Sequence, residues 1–319
     1  MRVLLVGAGA VGMVLHRALE QQKGNEVHFL VRPGRKAKLE RSKIVDARTG
    51  ELRVRERPTS VEIGQKLPHF DTVLFCVRAD QVAAALDDVG MIPPRTRLAT
   101  ITPGPEGLAL LRARHPGHPA VRIAPTFMAY TDGDAVVLWL PPLFKTPVSH
   151  EGDADSAAFA TELAAAFDQG GIPSRAREKM IAGMDSGNDA FMPLLAAYAL
   201  AGYDADVLRA DRALLALTGE AIGEALLIGG APGIAGAIAR RAAAPVIRAA
   251  LLTAAPRLPE SFRAMWRTHA PKIEAQTRAT IESLSLRAKI NGHTSTALVE
   301  MLHRLDARAP ANVAPKESA

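Results

Sequence analysis

Residues 1–12 read MRVLLVGAGAVG, a strand-like aliphatic run followed at once by Gly7, Gly9 and Gly12. These glycines fit the pattern G-x-G-x-x-G at the position its mechanism requires, between a first strand and a first helix. The first glycine permits a tight turn, the second lets the backbone approach a pyrophosphate, and the third lets helix and strand pack closely. The stretch therefore predicts a dinucleotide-binding βαβ domain, with phosphates at the helix N-terminus. The predicted pyrophosphate-binding residues are Gly7, Ala8, Gly9, Ala10, Val11 and Gly12.

The end of the second predicted strand carries the next signal. An NAD-specific domain usually places Asp or Glu about 20 residues beyond the glycines, where the carboxylate binds the ribose 2′-hydroxyl. This chain has Arg32 there, and Arg35 and Lys36 follow in the next turn. Guanidinium and ammonium groups both bind phosphate, so the three residues predict a 2′-phosphate and NADP(H) as the preferred cofactor.

Short runs rich in β-branched residues recur through the first half of the chain and predict strands. They are Val3 to Val6, Val27 to Val31, Thr72 to Val77, Leu98 to Ile101 and Ala135 to Leu140, with a helix predicted over Gly12 to Gln22. This alternation predicts an α/β fold with a mostly parallel, Rossmann-type sheet.

From about Asp153 the chain becomes rich in alanine with helical spacing, which predicts an all-α C-terminal domain. The sequence Gly-Gly-Ile-Pro at 170–173 interrupts the chain and is the predicted boundary. We therefore predict a dinucleotide-binding domain over 1–171, a helical substrate and dimerisation domain over 172–308 and a disordered tail over 309–319.

Composition narrows the class of protein. The 319 residues are 48% hydrophobic and 23% charged, which is typical of a globular protein with room for two domains. The net charge of +6 comes from scattered basic residues with few aromatic residues to stack on bases, which argues against nucleic-acid binding. A single cysteine, Cys76, and a chain that opens directly into a strand indicate a cytoplasmic protein. The apolar stretch 225–239 is too short to span a membrane, and no His/Cys spacing predicts a metal site.

Four segments together resemble the ketopantoate reductase (2-dehydropantoate 2-reductase) family. They are VLLVGAGAVG at the start, Arg32 after the second strand, FCVRADQV at 75–82 and Thr-Pro-Gly at 102–104. The resemblance implies that Arg78 and Gln81 lie where the family has a Lys and a Gln near the nicotinamide ribose. The family usually has Asn-Gly in the loop after the next strand, whereas this chain has Pro103-Gly104.

The resemblance continues in the helical half. Family members carry a Lys, an Asn four residues later and a Pro-Leu pair beyond it, and here Met184, Asn188 and Pro193-Leu194 keep that spacing. Counting back from Gly292 places Gln276 where the family has its substrate-binding acid. The resemblance thus implies a substrate site at Met184, Asn188 and Gln276 in which both charged groups are replaced.

Reduction of a 2-oxo acid requires a group that protonates or stabilises the developing alkoxide, and methionine has no proton to give. Met184 and Asn188, four residues apart, share a helix face, as do Gln276 and Thr280, which would present a neutral hydrogen-bonding surface. Other polar residues could replace the missing acid, although a structural role suits each of them better. They are Asp185, Ser186, Asp189, His269 and His293.

Three hypotheses follow. The first is an NADPH-dependent oxidoreductase that reduces C=O, or alternatively C=N, in a small-molecule substrate other than ketopantoate. The second is a catalytically silent NADP(H)-binding sensor or regulatory protein, motivated by the loss of both the lysine and the acid. The third is a true ketopantoate reductase with a relocated acid. The resemblance also implies a homodimer formed through the helical domain.

Overall fold

The computed structural model describes residues 1–34, 39, 43–47, 52–53, 58–65, 67–78, 81–102, 104–140, 144–179, 184–229, 238, 241–242, 245–247, 249, 266–267 and 270–308. Side chains within these ranges are described except at 52–53, 184–188 and 272. The chain divides into two compact units, Met1–Ile181 and Ala182–Ala319. The predicted tail at 309–319 lies outside the described residues.

The first unit is built on an eight-stranded sheet. In chain order its strands are β1 (Arg2–Val6), β2 (Glu26–Val31), β5 (Thr59–Glu62), β6 (Thr72–Phe75), β7 (Arg97–Thr100), β8 (Ala120–Ile123), β11 (Thr146–Ser149) and β12 (Ser174–Arg177). The spatial order is β12-β11-β8-β7-β6-β1-β2-β5, and all pairs are parallel except β11 with β8. Val3, Leu4 and Leu5 are fully buried, as expected for a central parallel strand covered on both faces. The predicted α/β fold with a Rossmann-type sheet is confirmed.

A second, four-stranded sheet belongs to the same unit. Its strands are β3 (Lys43–Asp46), β4 (Leu52–Arg53), β9 (Met128–Asp132) and β10 (Ala135–Trp139), in the order β4-β3-β10-β9. The first helix, α1 (Ala10–Glu20), packs against both β2 and the β9–β10 hairpin. Met13 of α1 therefore shares one core with Ile44, Val136 and Leu138 of the small sheet. The strand predicted at 135–140 exists, but it lies in this second sheet.

Three more helices complete the first unit: α2 (Val82–Val89), α3 (Glu106–Arg114) and α4 (Ala154–Gln169). Helix α4 packs on α1 so closely that a Cβ on Gly170 would lie 2.1 Å from the carbonyl oxygen of Ala18. The side-chain amide of Gln22, just after α1, donates to the Gln169 side chain at 2.8 Å.

The contact boundary falls after Ile181 rather than after residue 171. Gly-Gly-Ile-Pro at 170–173 is the turn from α4 into β12. Strand β12 adds to the main sheet by parallel pairing with β11, from Thr146 opposite Ser174 to Ser149 opposite Arg177. The glycines and proline thus mark a turn inside the first unit, because the polar strand Ser-Arg-Ala-Arg at 174–177 still belongs to the sheet.

In the described part of the second unit, the regular secondary structure is helical. Its helices are α5 (Met184–Leu200), α6 (Ala205–Ala210), α7 (Arg212–Ile228), a 3₁₀ turn (Ala270–Ile273), α8 (Glu274–Ile290) and α9 (Thr296–Ala307). Helices α5, α7, α8 and α9 share one apolar core that includes Ala196, Ala225, Leu284 and Leu298. Glu224 of α7 is nearly buried and accepts the backbone N–H groups of Ala297 and Leu298, at 3.2 and 3.0 Å, which caps the first turn of α9. No described helix is long and apolar enough to cross a membrane.

Candidate cofactor site and substrate residues

The glycine turn after β1 is shaped by close backbone contacts. Gly7 has φ +109°, and a Cβ there would lie 2.5 Å from the carbonyl oxygen of Cys76. A Cβ on Gly12 would lie 2.2 Å from the carbonyl oxygen of Gly7. A Cβ on Gly9, by contrast, would meet nothing within 4 Å. Gly7 and Gly12 are therefore required by the fold, whereas Gly9 faces open space where a ligand can approach the backbone.

The open space lies at the N-terminus of α1. Gly9 is the N-cap residue, no side chain accepts the N–H groups of the first turn, and that turn has no acidic residue. Ala8 and Gly9 are exposed, and Ala10 and Val11 are half-buried. Unsatisfied N–H groups and the positive end of the helix dipole make an anion-binding site. These residues fit a dinucleotide pyrophosphate.

The remaining predicted cofactor residues follow the carboxyl ends of neighbouring strands. Chain order reverses between β1 and β6, since β2 and β5 lie on one side of β1 and β6, β7 and β8 on the other. Ligands of open α/β sheets bind at this kind of switch point. Arg32 follows β2, Arg78 follows β6 and Gly104 follows β7, so all three stand at the same edge of the sheet as the glycine turn.

Arg32 is exposed, and within the described part of the chain no carboxylate pairs with it. It comes directly after Val31, which lies opposite Glu62 in the pairing of β2 with β5. Arg35 and Lys36, the other residues predicted to bind a 2′-phosphate, lie outside the described residues. The guanidinium of Arg32 is thus exposed to solvent at the strand end where a Rossmann fold binds the adenosine ribose.

Arg78 and Gln81 are linked across a short turn before α2. The Gln81 side-chain oxygen accepts the Arg78 backbone N–H at 3.3 Å, and the Gln81 backbone N–H donates to the Arg78 carbonyl at 2.9 Å. Both side chains are exposed at the sheet edge. Gln81 thereby fixes the turn that carries Arg78.

The turn after β7 contains a contact that the sequence analysis missed. Pro103 lies outside the described residues, and Gly104 has φ +77°, a left-handed conformation that favours glycine. The hydroxyls of Thr100 and Thr102 are buried and 3.1 Å apart. Gly107, in the first turn of α3, leaves the space that the Thr102 side chain fills. The spacing of Thr102 and Gly107 along the chain is the sequence feature that could have indicated this contact.

In the second unit, Met184 and Asn188 both lie in the first two turns of α5, four residues apart. Their side chains lie outside the described set. Asp189, one alternative acid, makes an ion pair with Arg287 of α8 at 2.5 Å, and its side chain is only 13% exposed. Asp189 therefore has a structural partner.

Gln276 and Glu274 both lie at the start of helix α8 but have different partners. The Glu274 carboxylate pairs with Arg308 at 3.2 Å and accepts the hydroxyl of Tyr203. Gln276 is half-buried, and the hydroxyl of Thr280 donates to its backbone carbonyl at 3.0 Å. The Thr280 hydroxyl is therefore already engaged by the helix, which leaves the Gln276 amide as the polar group of this pair.

Three further residues of the sequence could carry chemistry, namely Cys76, His269 and His293. Cys76 is buried, and burial raises the pKa of its thiol far above the usual value. His293 is exposed at the end of α8, and His269 lies outside the described residues. Among the residues that the structure describes, no cluster of three His, Cys, Asp or Glu side chains could hold a metal ion.

Comparison with known proteins agrees with this geometry. Residues 3–142, which contain the glycine turn, Arg32, Arg78 and Gly104, match the model of the family described as ketopantoate reductase PanE/ApbA. Over these residues the chain is therefore similar to the ketopantoate reductase family. The resemblance read from the sequence is thereby confirmed for the cofactor-binding half of the chain. No curated protein matches the sequence at a significant level.

Solved structures extend the likeness of fold to the whole chain. D-mandelate dehydrogenase in complex with NADH and anilino(oxo)acetate has 14% identity and a TM-score of 0.71, and the match covers 96% of this chain and 97% of that one. The 2-dehydropantoate 2-reductase from Geobacter metallireducens GS-15 has 15% identity and a TM-score of 0.70 over 96% and 99% of the two chains. A dimeric ketopantoate reductase from Staphylococcus aureus has 13% identity and a TM-score of 0.66 over 96% and 98%. These solved structures share their fold with this chain.

Proposed function

We propose that this protein is an NADPH-dependent oxidoreductase that reduces the C=O bond of a small substrate, with C=N as the alternative bond. The observation that carries the proposal is the open space over Gly9 at the uncapped N-terminus of α1. An anion-binding helix end at the switch point of a Rossmann sheet, in residues that match the ketopantoate reductase family model, supports nicotinamide dinucleotide binding.

The cofactor, when bound, supplies the hydride. The backbone from Gly7 to Gly12 holds the pyrophosphate, Arg32 binds the 2′-phosphate with Arg35 and Lys36, and Arg78 with Gln81 contacts the nicotinamide ribose. The loop at Pro103-Gly104 completes the cofactor site. A solvent-exposed guanidinium at Arg32 supports NADPH rather than NADH, because an NAD-specific site would place a carboxylate there.

On the substrate side, Asn188 orients the reacting carbonyl, and Met184 and Gln276 stand where the family has a lysine and an acid. Neither thioether nor amide carries a formal charge, so this site supports a substrate other than ketopantoate. The ion pair of Asp189 with Arg287 argues against Asp189 as the proton donor.

The same replacements support a second candidate, a silent NADP(H)-binding sensor. A positioned acid contributes about 10²- to 10⁴-fold to such a reaction, and a protein that lacks one could bind the cofactor without turnover. The two candidates differ in one observable, which is hydride transfer.

The experiment is to confirm NADPH binding and then follow NADPH oxidation by absorbance with ketopantoate, other 2-oxo acids, ketones and imines. Turnover of compounds other than ketopantoate supports the proposed reductase. Turnover of ketopantoate itself would mean that another residue supplies the proton, whereas binding without any turnover would favour the sensor. Asn188→Ala should lower kcat/KM on the active substrate, and unchanged activity would contradict the placement of the substrate site.

We further propose a cytoplasmic homodimer that forms through the helical unit. The dimeric relative from Staphylococcus aureus supports this assembly. Helix α8 also exposes Leu286 and Ile290, which are four residues apart and so lie on one face. Sedimentation velocity on Ile290→Glu should show a shift to monomer if that face is the interface.

A further inference from the structure

The face of α5 that carries the substrate residues continues along the helix to an aromatic side chain. With about 100° per residue, position 191 lies about 20° from position 184 and about 60° from position 188 around the helix axis. Phe191 therefore stands on the same face as Met184 and Asn188, about two turns from the former.

Phe191 is not part of the core of the second unit. The neighbouring residues Met192 and Leu195 are buried in that core, at 5% and 4% exposure, whereas Phe191 is 38% exposed. Its ring lies against that of Trp266, with centroids 5.6 Å apart and an interplanar angle of 59°. Trp266 is half-buried and packs on the core. The pair thus presents an aromatic surface at a position of α5 that shares a face with positions 184 and 188.

Among the described side chains of α5, the charged one is directed elsewhere. Asp189 lies about 200° around the helix axis from Phe191, and its carboxylate is held by Arg287. The aromatic surface is therefore apolar, and burying a ligand ring against it releases water from both surfaces.

We propose that Phe191 and Trp266 form the wall that binds the side chain of the substrate and select 2-oxo acids or ketones with an aromatic or bulky aliphatic group. This specificity rests on the proposed function, because Asn188 must hold the reacting carbonyl for the substrate side chain to reach Phe191. A small substrate such as pyruvate has no large side chain to pack against Phe191 and Trp266, so the wall would not strengthen its binding.

The chain has two tryptophans, Trp139 and Trp266, which allows a binding test that does not depend on turnover. Trp139→Phe leaves Trp266 as the only tryptophan, and Trp266→Phe leaves Trp139 as a control for light absorbed by the ligand. The NADP⁺-saturated full-length variants are titrated with phenylglyoxylate and with pyruvate. We expect phenylglyoxylate to change the Trp266 emission saturably and the Trp139 emission only through absorption, with no saturable change from pyruvate at the same concentrations.

Phe191→Ala in the Trp139→Phe background should weaken phenylglyoxylate binding about 10- to 100-fold, the range expected for loss of a buried aromatic contact. The matched control is Val299→Ala, which truncates an exposed apolar residue of α9 and should leave the dissociation constant unchanged. An unchanged dissociation constant in Phe191→Ala, or the absence of any saturable Trp266 signal, would overturn the proposal. Reduced self-association of Phe191→Ala with unchanged ligand binding would also overturn it and would assign the face to a second copy of the chain.

Turnover distinguishes this inference from the proposed function. If the aromatic oxo acid binds as expected but NADPH is never oxidised, the proposed role of Phe191 and Trp266 is supported and the reductase assignment is wrong. If NADPH is oxidised with aromatic and small substrates at equal kcat/KM, and Phe191→Ala lowers neither kcat/KM, the reductase assignment is supported and the proposed role of Phe191 and Trp266 is wrong.

Discussion

At the scale of single residues, Gly9 and Gly12 differ in what a methyl group would meet. The Cβ of Gly12 would overlap the backbone of Gly7, whereas that of Gly9 would enter open space. Gly12 is therefore required by the fold, whereas Gly9 leaves the space that the proposed cofactor needs, although both belong to a single motif.

Gly12→Ala should lower the free energy of unfolding by about 1–3 kcal/mol, because α1 must move away from β1 to accept the methyl group. Gly9→Ala should cost less than about 1 kcal/mol, since only a helix cap changes, yet it should weaken NADPH binding by filling the space over the backbone. Urea unfolding and NADPH fluorescence titration measure the two effects. Equal loss of stability in both variants would contradict the separation.

Arg32 gives a prediction on cofactor choice. Arg32→Ala should weaken NADPH binding about 10- to 100-fold and leave NADH binding within about 2-fold, because charge-assisted hydrogen bonds to the 2′-phosphate contribute about 1.5–3 kcal/mol. Arg175→Ala, which removes an exposed arginine from β12, is the control for net charge. A similar loss for both cofactors would mean that Arg32 does not contact the 2′-phosphate.

At the scale of elements, one polar cluster joins three segments of the second unit. Arg308, just beyond α9, donates to the carbonyl of Ala199 in α5 and pairs with Glu274 at the start of α8. The hydroxyl of Tyr203 donates to the same carboxylate. Burial and the Glu274 carboxylate raise the pKa of Tyr203 to about 12, with Arg308 acting in the opposite direction.

This shift predicts a loss of stability at alkaline pH. The folded chain holds the phenol proton of Tyr203 more tightly than the unfolded chain does. The resulting contribution to the free energy of unfolding is complete below the usual pKa of about 10 and is lost as the pH rises through the folded-state pKa of about 12. Urea unfolding at pH 9 to 12 should show a shallower decline for Tyr203→Phe than for the unsubstituted protein. Glu274→Gln should move the decline to lower pH, and an unaltered profile in both variants would refute the assignment.

At the scale of the whole molecule, the first unit contains its own sheet and two apolar cores, and it includes β12 beyond the glycine-rich turn at 170–171. The contact boundary after Ile181 thus makes a prediction about fragments.

Fragment 1–181 should unfold cooperatively and bind NADPH. Fragment 1–171 should be less stable, because β11 loses its parallel partner and α4 loses the strand packed beneath it. Circular dichroism during urea unfolding compares the two fragments directly. Equal midpoints would indicate that β12 contributes nothing to the first unit.

The sequence by itself determined the Rossmann-type sheet, the glycine turn and the position of Arg32. Strands β1, β2, β6 and β7 are short apolar runs, and the turn residues lie within a few positions of one another, so local spacing encodes them. Strands such as β12 could not be predicted in this way, because Ser-Arg-Ala-Arg has no apolar periodicity and pairs only because α4 returns the chain to β11.

Only the tertiary structure decided which side chains meet over long separations in the chain. Asp189 is bound by Arg287, and Phe191 lies against Trp266. The two ion-pair partners, like the two aromatic rings, stand on segments far apart in sequence, and helical periodicity shows which face a residue is on but not what packs against it. The glycine turn is a property of consecutive residues, whereas the surface proposed to select the substrate arises from packing between distant ones.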